Sequence, residues 1–188
     1  MKSATGMTCV PRTLHLVERS LETSTEIERL YLEDMSVGDS WLSATREITA
    51  DDVADFALLT GDHDPLHSDE PGASPFGEPV AHGLLGLSVV AGLSSGHPCV
   101  ATLALVSIFD WKFEAPIFFG DVVRARTEVE KIEQHGRRAG RVTWLRQLLN
   151  QDGRIVQQGR FETLVATKAR ARRIATHTER PHRSLPPR

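Results

Sequence analysis

The chain is short of the residues that would staple or anchor it. Among its 188 residues there are only two cysteines, Cys9 and Cys99, far apart and with no Cys-x-x-Cys spacing. A disulfide framework and a zinc ribbon are therefore both without support. No stretch approaches the ~18–20 consecutive apolar residues that cross a bilayer, so no membrane partner is expected. Lys2 is followed by small, polar and proline residues rather than by an apolar run, so no secretory leader is expected. The cytoplasm is the expected location. An excess of one charge is lacking as well: the formal net charge is −3, which does not mark a nucleic-acid binder. There is no internal repeat.

What charge there is lies unevenly. Residues 168–188 hold seven Lys/Arg and one acid, a balance of +6, which leaves the rest of the chain at −9. A basic end rich in Arg and Pro reads as a solvated, disordered tail. Residues 1–30 show weak periodicity and read as an N-terminal extension. The body, residues 31–167, has the size and composition of one globular domain.

Within the body, residues 35–39 read as a turn and residues 41–48 as a strand. Thr49 followed by Asp51 and Asp52 is a helix start, with a side-chain cap and acids where the helix dipole favours them. Val53, Phe56, Ala57 and Leu59 continue at helical spacing, and Gly61 is placed to end the helix. Residues 62–78 contain Pro65, Pro71, Gly72, Pro75 and Gly77 and must be a loop. Residues 84–94 are apolar nearly all round, the mark of a buried helix. Residues 100–113, 122–133, 141–150 and 154–166 read as strands, the last two joined across Asp152-Gly153, a pair that favours tight hairpins. The plan is α+β: an antiparallel sheet packed on one mostly apolar helix.

The proline-rich loop is crowded with Asp62, His63, Asp64, His67 and Asp69, and His82 follows. Three readings stand side by side. Histidine titrates near neutrality, so with a neighbouring carboxylate it makes a general acid–base pair, and Asp62 and His67 can converge across the loop. His63, Asp64 and His67 are also metal-ligand types, although no established motif spacing is present. Loop histidines and aspartates are also often no more than solvated turn residues. The segment Ala81-His82-Gly83 favours the first reading. It precedes the buried helix, whose N-terminus offers free N–H groups and partial positive charge. A glycine there lets a ligand approach the backbone, as an oxyanion site requires.

Residues 56–69, from Phe56-Ala57-Leu58-Leu59-Thr60-Gly61-Asp62 through His63-Asp64-Pro65-Leu66-His67-Ser68-Asp69, together with Phe76-Gly77-Glu78-Pro79-Val80-Ala81-His82-Gly83-Leu84-Leu85, resemble the signature of MaoC-like dehydratases and (R)-specific enoyl-CoA hydratases. The weaker match extends over residues 31–166 and takes in Val37-Gly38-Asp39, Phe113, Pro116 and Gly120-Asp121. The resemblance implies a hot-dog fold, in which an antiparallel sheet wraps a long central helix, and a homodimer whose sheets join. It implies a thioester substrate on CoA or acyl carrier protein, with no cofactor and no metal. Carried onto this chain, Asp62 and His67 are the catalytic pair acting on water. Gly83 is the N–H donor to the thioester oxygen, and Ser88, Asp64 and His82 lie at the substrate. Hydratases of this group usually carry Asn where this chain has Asp64. An ionised carboxylate only accepts hydrogen bonds, whereas an amide also donates. Two alternatives remain open at this point: a thioesterase on the same fold, and a non-catalytic acyl-CoA-binding subunit. The Asp-x4-His spacing argues against both. No basic patch for CoA phosphates is evident beyond Arg124, Arg126, Arg137, Arg138, Arg141 and the tail.

Overall fold

The structure, a computed structural model, describes residues 29–170. Most of the N-terminal extension, and the basic tail from residue 171 onward, lie outside the described residues. The elements run β1 (Ser40–Leu42), β2 (Arg46–Glu47), α1 (Ala50–Thr60), α2 (Gly83–Gly96), β3 (Thr102–Phe113), β4 (Val122–His135), β5 (Ala139–Leu149) and β6 (Ile155–Ala166). The sheet order is β1-β4-β5-β6-β3, and β2 pairs with β4 beside β1. All these pairings are antiparallel. Among the described residues no helix is long and apolar enough to cross a membrane.

The expected strand over residues 41–48 is broken in two. Ser40↔Glu128 to Leu42↔Arg126 is one register, and Arg46↔Val123 is offset from it by one residue. The break falls where Ser43 bonds Ala125 twice: its N–H donates to the Ala125 carbonyl, and its hydroxyl accepts from the Ala125 N–H, each at 2.9 Å. A side chain thus takes a ladder position and the strand bends there. The helix that follows starts as its sequence requires. Thr49 Oγ1 accepts from the Asp52 N–H, and the Asp52 carboxylate accepts from the Thr49 N–H, a reciprocal capping box. Gly61, at φ 77°, ends it in the left-handed conformation. The Asp152-Gly153 turn also forms, with Asn150 Oδ1 accepting from the N–H groups of Asp152 and Arg154.

The core lies between α2 and the sheet. Leu85, Val89 and Val90 of α2 meet Ile48, Val123, Leu148 and Val156. A second cluster gathers Trp144, Phe161, Val129, Val142 and Val165. Burying each large apolar side chain stabilises the fold by roughly 1.5–3 kcal/mol. The central helix is not covered all round, contrary to its uniform apolarity: Leu84 is 59% exposed and Ser88 is exposed. The cause is its neighbour β3, which ends the sheet order and leaves Leu105 and Phe113 each 55% exposed. One flank of α2 and the face of β3 beside it are therefore open in the single chain.

Candidate active site

The loop and the start of α2 meet over the end of α1. Gly61 donates its N–H to the Ala57 carbonyl at 2.8 Å and turns the chain out of the helix, presenting Asp62 next. Asp64 then starts a short 3-10 turn, Pro65–His67, by accepting the Leu66 N–H on Oδ1 at 3.0 Å. That turn delivers His67. From the other side, residues 80–82 are pinned to the chain before β4: Ala81 donates to the Ile117 carbonyl at 2.8 Å, and Val80 bridges Phe118. His82 then sits at the N-cap of α2 and is only 2% exposed.

These placements bring Asp62, His67 and His82 together: one side-chain ligand atom of each lies within 4.8 Å of the others. His67 Nδ1 is 2.7 Å from the Val80 carbonyl oxygen. A carbonyl only accepts, so Nδ1 carries the proton and Nε2 keeps its lone pair in the neutral ring. His82 Nε2 is likewise 3.0 Å from the Asp62 carbonyl oxygen and must donate to it. Its Nδ1 is buried without a partner. The two imidazoles stack with centroids 3.7 Å apart, and Phe56 closes on His82 at 5.1 Å. His82 thus grips the Asp62 backbone with one nitrogen and supports His67 with its face. The Asp62 carboxylate itself is exposed, 4.0 Å from His82 Nε2.

Asp62, Asp64 and His67 open on a cleft of about 460 Å³, walled by α1 residues such as Val53 and Ala57 and by Phe119. His63 also lines it and is exposed. The trio that converges is a different one from His63, Asp64 and His67. Asp51, Asp62, Asp64 and Asp69 border the cleft, and among the described residues no Lys or Arg does. Its local field therefore suits a proton acceptor and disfavours a phosphate.

Gly83 is the first residue of α2, so its N–H has no partner within the helix. A Cβ here would lie 2.9 Å from the Phe113 ring, so the position has no space for a larger residue unless that ring moves. Ser88 is one and a half turns on, exposed, with its hydroxyl donating to the Leu84 carbonyl at 2.9 Å. Three participants escape a sequence reading. The Val80 carbonyl orients His67, but backbone groups carry no sequence signal. Phe56 is hidden in an ordinary helical pattern. Gln157, 2% exposed, donates from Nε2 to the Gly83 carbonyl at 3.0 Å, and in the mixed polar and apolar sequence of β6 nothing marks it out.

Comparison with known proteins places the chain in a family. The MaoC-like domain model matches residues 35–147. A 3-hydroxybutyryl-CoA dehydratase of Methylorubrum extorquens is 34% identical over 117 residues, covering 61% of this chain and 73% of that protein. An (R)-specific enoyl-CoA hydratase of Aeromonas caviae is 33% identical over 92 residues, covering 48% of this chain and 68% of that one. Among solved structures, a MaoC-like dehydratase from Rhodospirillum rubrum superposes with a TM-score of 0.63 at 27% identity, over 74% of this chain and 98% of that one. The antiparallel sheet packed on α2 is a hot-dog fold, and with the family model spanning well over half its length, the chain belongs to the MaoC-like domain family.

Proposed function

We propose that this chain catalyses the reversible addition of water to a trans-2-enoyl thioester, giving an (R)-3-hydroxyacyl thioester. Its class, a hydro-lyase, follows from its family. The observation that carries the finer reading is the meeting of Asp62 with His67, whose Nδ1 is held on the Val80 carbonyl so that Nε2 is free to take a proton. In the hydration direction a water lies between the Asp62 carboxylate and His67 Nε2. His67 takes a proton from it, the hydroxide oxygen bonds to C3, and the C2–C3 π electrons move toward the thioester oxygen. The Gly83 N–H, at the positive end of α2, stabilises the charge on that oxygen. The proton then returns from the Asp62/His67 pair to C2, so the elements of one water are added and nothing is left over. Asp64 acts through the turn it caps and His82 through its grip on Asp62 and His67. Ser88 lies further along α2, on the flank facing the acyl chain.

The experiment is loss of the enoyl-thioester absorbance of trans-2-butenoyl-CoA. Asp62→Asn and His67→Ala each lower kcat by about 10²–10⁴-fold, the range for removing a general acid–base group, with circular dichroism unchanged. Full activity in either folded variant would refute the assigned roles. We further propose a homodimer joined through β3. Among the described residues nothing pairs with the outer edge of this strand at the end of the sheet, and exposed Leu105, Ile108 and Phe109 flank it, a combination proteins rarely leave in water.

A further inference from the structure

A second cavity, of about 350 Å³, lies at the far end of α2, lined by Ala91, Ser94 and Ser95 of the helix and by Thr127, Trp144, Arg146 and Thr163 of the sheet. Arg146 is out of place by pattern. Val142, Trp144 and Leu148 alternate on the core face of β5, each 2% exposed or less, and Arg146 takes the position of that alternation between the last two. It stands opposite Thr127 on β4 and Gly159 on β6.

Arg146 Nε is sealed from solvent with no hydrogen-bond partner, and among the described residues no carboxylate pairs with the group. Its one close neighbour of note is the Phe161 ring, 4.4 Å from the guanidinium carbon, which offers π density but no lone pair. Burial pushes the guanidinium down to about 10, so it remains a cation at neutral pH. The surrounding hydroxyls are set to donate. Ser94 Oγ already accepts from Thr127 Oγ1 at 3.2 Å, and Thr163 Oγ1 already accepts from Trp144 Nε1 at 2.8 Å, which leaves the Ser94 and Thr163 protons uncommitted. A half-buried cation whose Nε is sealed, and two free O–H donors, surround this volume, and among the described residues no acid lines it, so the site offers donors to an anion.

One flank of α2 runs from Gly83, at the start of the helix, to the residues that line this cavity. Leu84, Ser88, Ala91 and Ser95 fall on a helical stripe that is exposed or half-buried throughout. β3 returns beside it, with Phe113 against Gly83 and Leu105 and Thr102 at the cavity. From Gly83 to Ala91 is eight residues, roughly 12 Å at ~1.5 Å per residue, the reach of a medium-length acyl chain and beyond a four-carbon one. We propose that the acyl chain lies along this stripe and that Arg146 selects chains whose distal end is a carboxylate. This rests on the hydratase reading and adds the substrate class to it.

The test compares kcat/KM for trans-2-decenoyl-CoA with that for the same chain ending in a carboxylate. Wild-type protein prefers the carboxylate by about ten- to a hundredfold, the worth of a hydrogen bond to a charged group. In Arg146→Met that ratio falls to one or below, and in Arg146→Lys part of it remains. Binding is read separately from turnover: octanoate changes the tryptophan fluorescence of the wild type saturably, since Trp144 lines the cavity, and does so at least tenfold more weakly with Arg146→Met. Equal kcat/KM for the two chains in the wild type, with octanoate giving no saturable change, overturns the proposal, while turnover of trans-2-butenoyl-CoA leaves the hydratase reading standing. Absence of turnover on every enoyl-CoA refutes that reading, and with it the acyl chain as the occupant.

Discussion

Two glycines of α2 make opposite predictions for the same substitution. A Cβ added at Gly86 would lie 2.3 Å from Gln157 Nε2 and 2.8 Å from Ile117 Cδ1, whereas one added at Gly92 would meet nothing within 4 Å. Gly→Ala within a helix gains about 1 kcal/mol from backbone propensity at either site. At Gly86 this gain is opposed by overpacking, ~1–3 kcal/mol, because Gln157 and Ile117 are 2% and 3% exposed and have little room to withdraw. Displacing Gln157 also breaks its bond to the Gly83 carbonyl and strands a buried amide, a further ~1–3 kcal/mol. Gly86→Ala is therefore destabilising by about 1–5 kcal/mol net, and the middle of that range is a fall in Tm of roughly 10 °C at the ~2–4 °C per kcal/mol of a domain this size. Gly92→Ala raises Tm by about 3 °C by the same conversion. Thermal unfolding followed by circular dichroism measures both. Adding Gln157→Ala to Gly86→Ala recovers part of the loss, because the two changes share one clash. If Gly86→Ala proves neutral or stabilising, Gln157 is not held against α2 as described, and its support of the first turn at Gly83 falls with it.

The remaining predictions concern the loop, acid stability and assembly. Asp64→Asn retains an Oδ1 to accept the Leu66 N–H, so it keeps stability within ~0.5 kcal/mol and most activity, while Asp64→Ala loses about 1 kcal/mol as an uncapped turn does; urea unfolding in which the two variants behave alike would show that the carboxylate matters for another reason. At Asp52, burial would raise the carboxyl, but the Thr49 N–H and hydroxyl and the Arg46 guanidinium outweigh it and hold the group below its ordinary value. A depressed carboxyl stabilises the fold above its unfolded pKa of ~3.9 and loses that contribution as pH falls through the folded value. Asp52→Asn accordingly flattens the acid limb of the stability curve below pH ~4, and an unchanged limb would contradict the capping role. For assembly, light scattering on the wild type gives twice the chain mass, and Ile108→Lys on β3 gives a monomer; a monomeric wild type removes β3 as an interface.

The features most legible in the sequence are those set by local chemistry. The Thr49 cap, the Gly61 stop and the Asp152-Gly153 turn each depend on a few neighbouring residues, and each forms where it is expected. The break at Ser43 was not legible, because it depends on Ala125, 82 positions away, and a serine within a strand has no local mark of it. The open flank of α2 was misread for a related reason. Apolarity all round a helix signals that something covers it, but not whether the cover comes from the same chain. Here the sheet covers Leu85, Val89 and Val90, and leaves Leu84 and Ser88 outward.

The candidate site divides along the same line. Asp62, His67 and His82 were legible as residue types near a glycine-led helix, but their roles depend on which nitrogen is already engaged, and both engaged partners are backbone carbonyls, of Val80 and Asp62. Those bonds exist only once residues 80–82 are fastened beside Ile117 and Phe118, so the tautomers are products of the fold. Arg146 is the converse case. In the sequence it reads as one more charged residue of an amphipathic strand, yet its parity matches Val142, Trp144 and Leu148, which all face inward. A guanidinium at an inward position is costly unless something answers its charge, and the described protein groups around it supply hydroxyl donors and an aromatic face. Alternation that is broken by a charge on the buried side, beside a cavity with room for an anion, is thus a functional signal that neither composition nor the loop signature carries. On the proposal made for Arg146, substrate discrimination sits in the strand layer, away from Asp62 and His67.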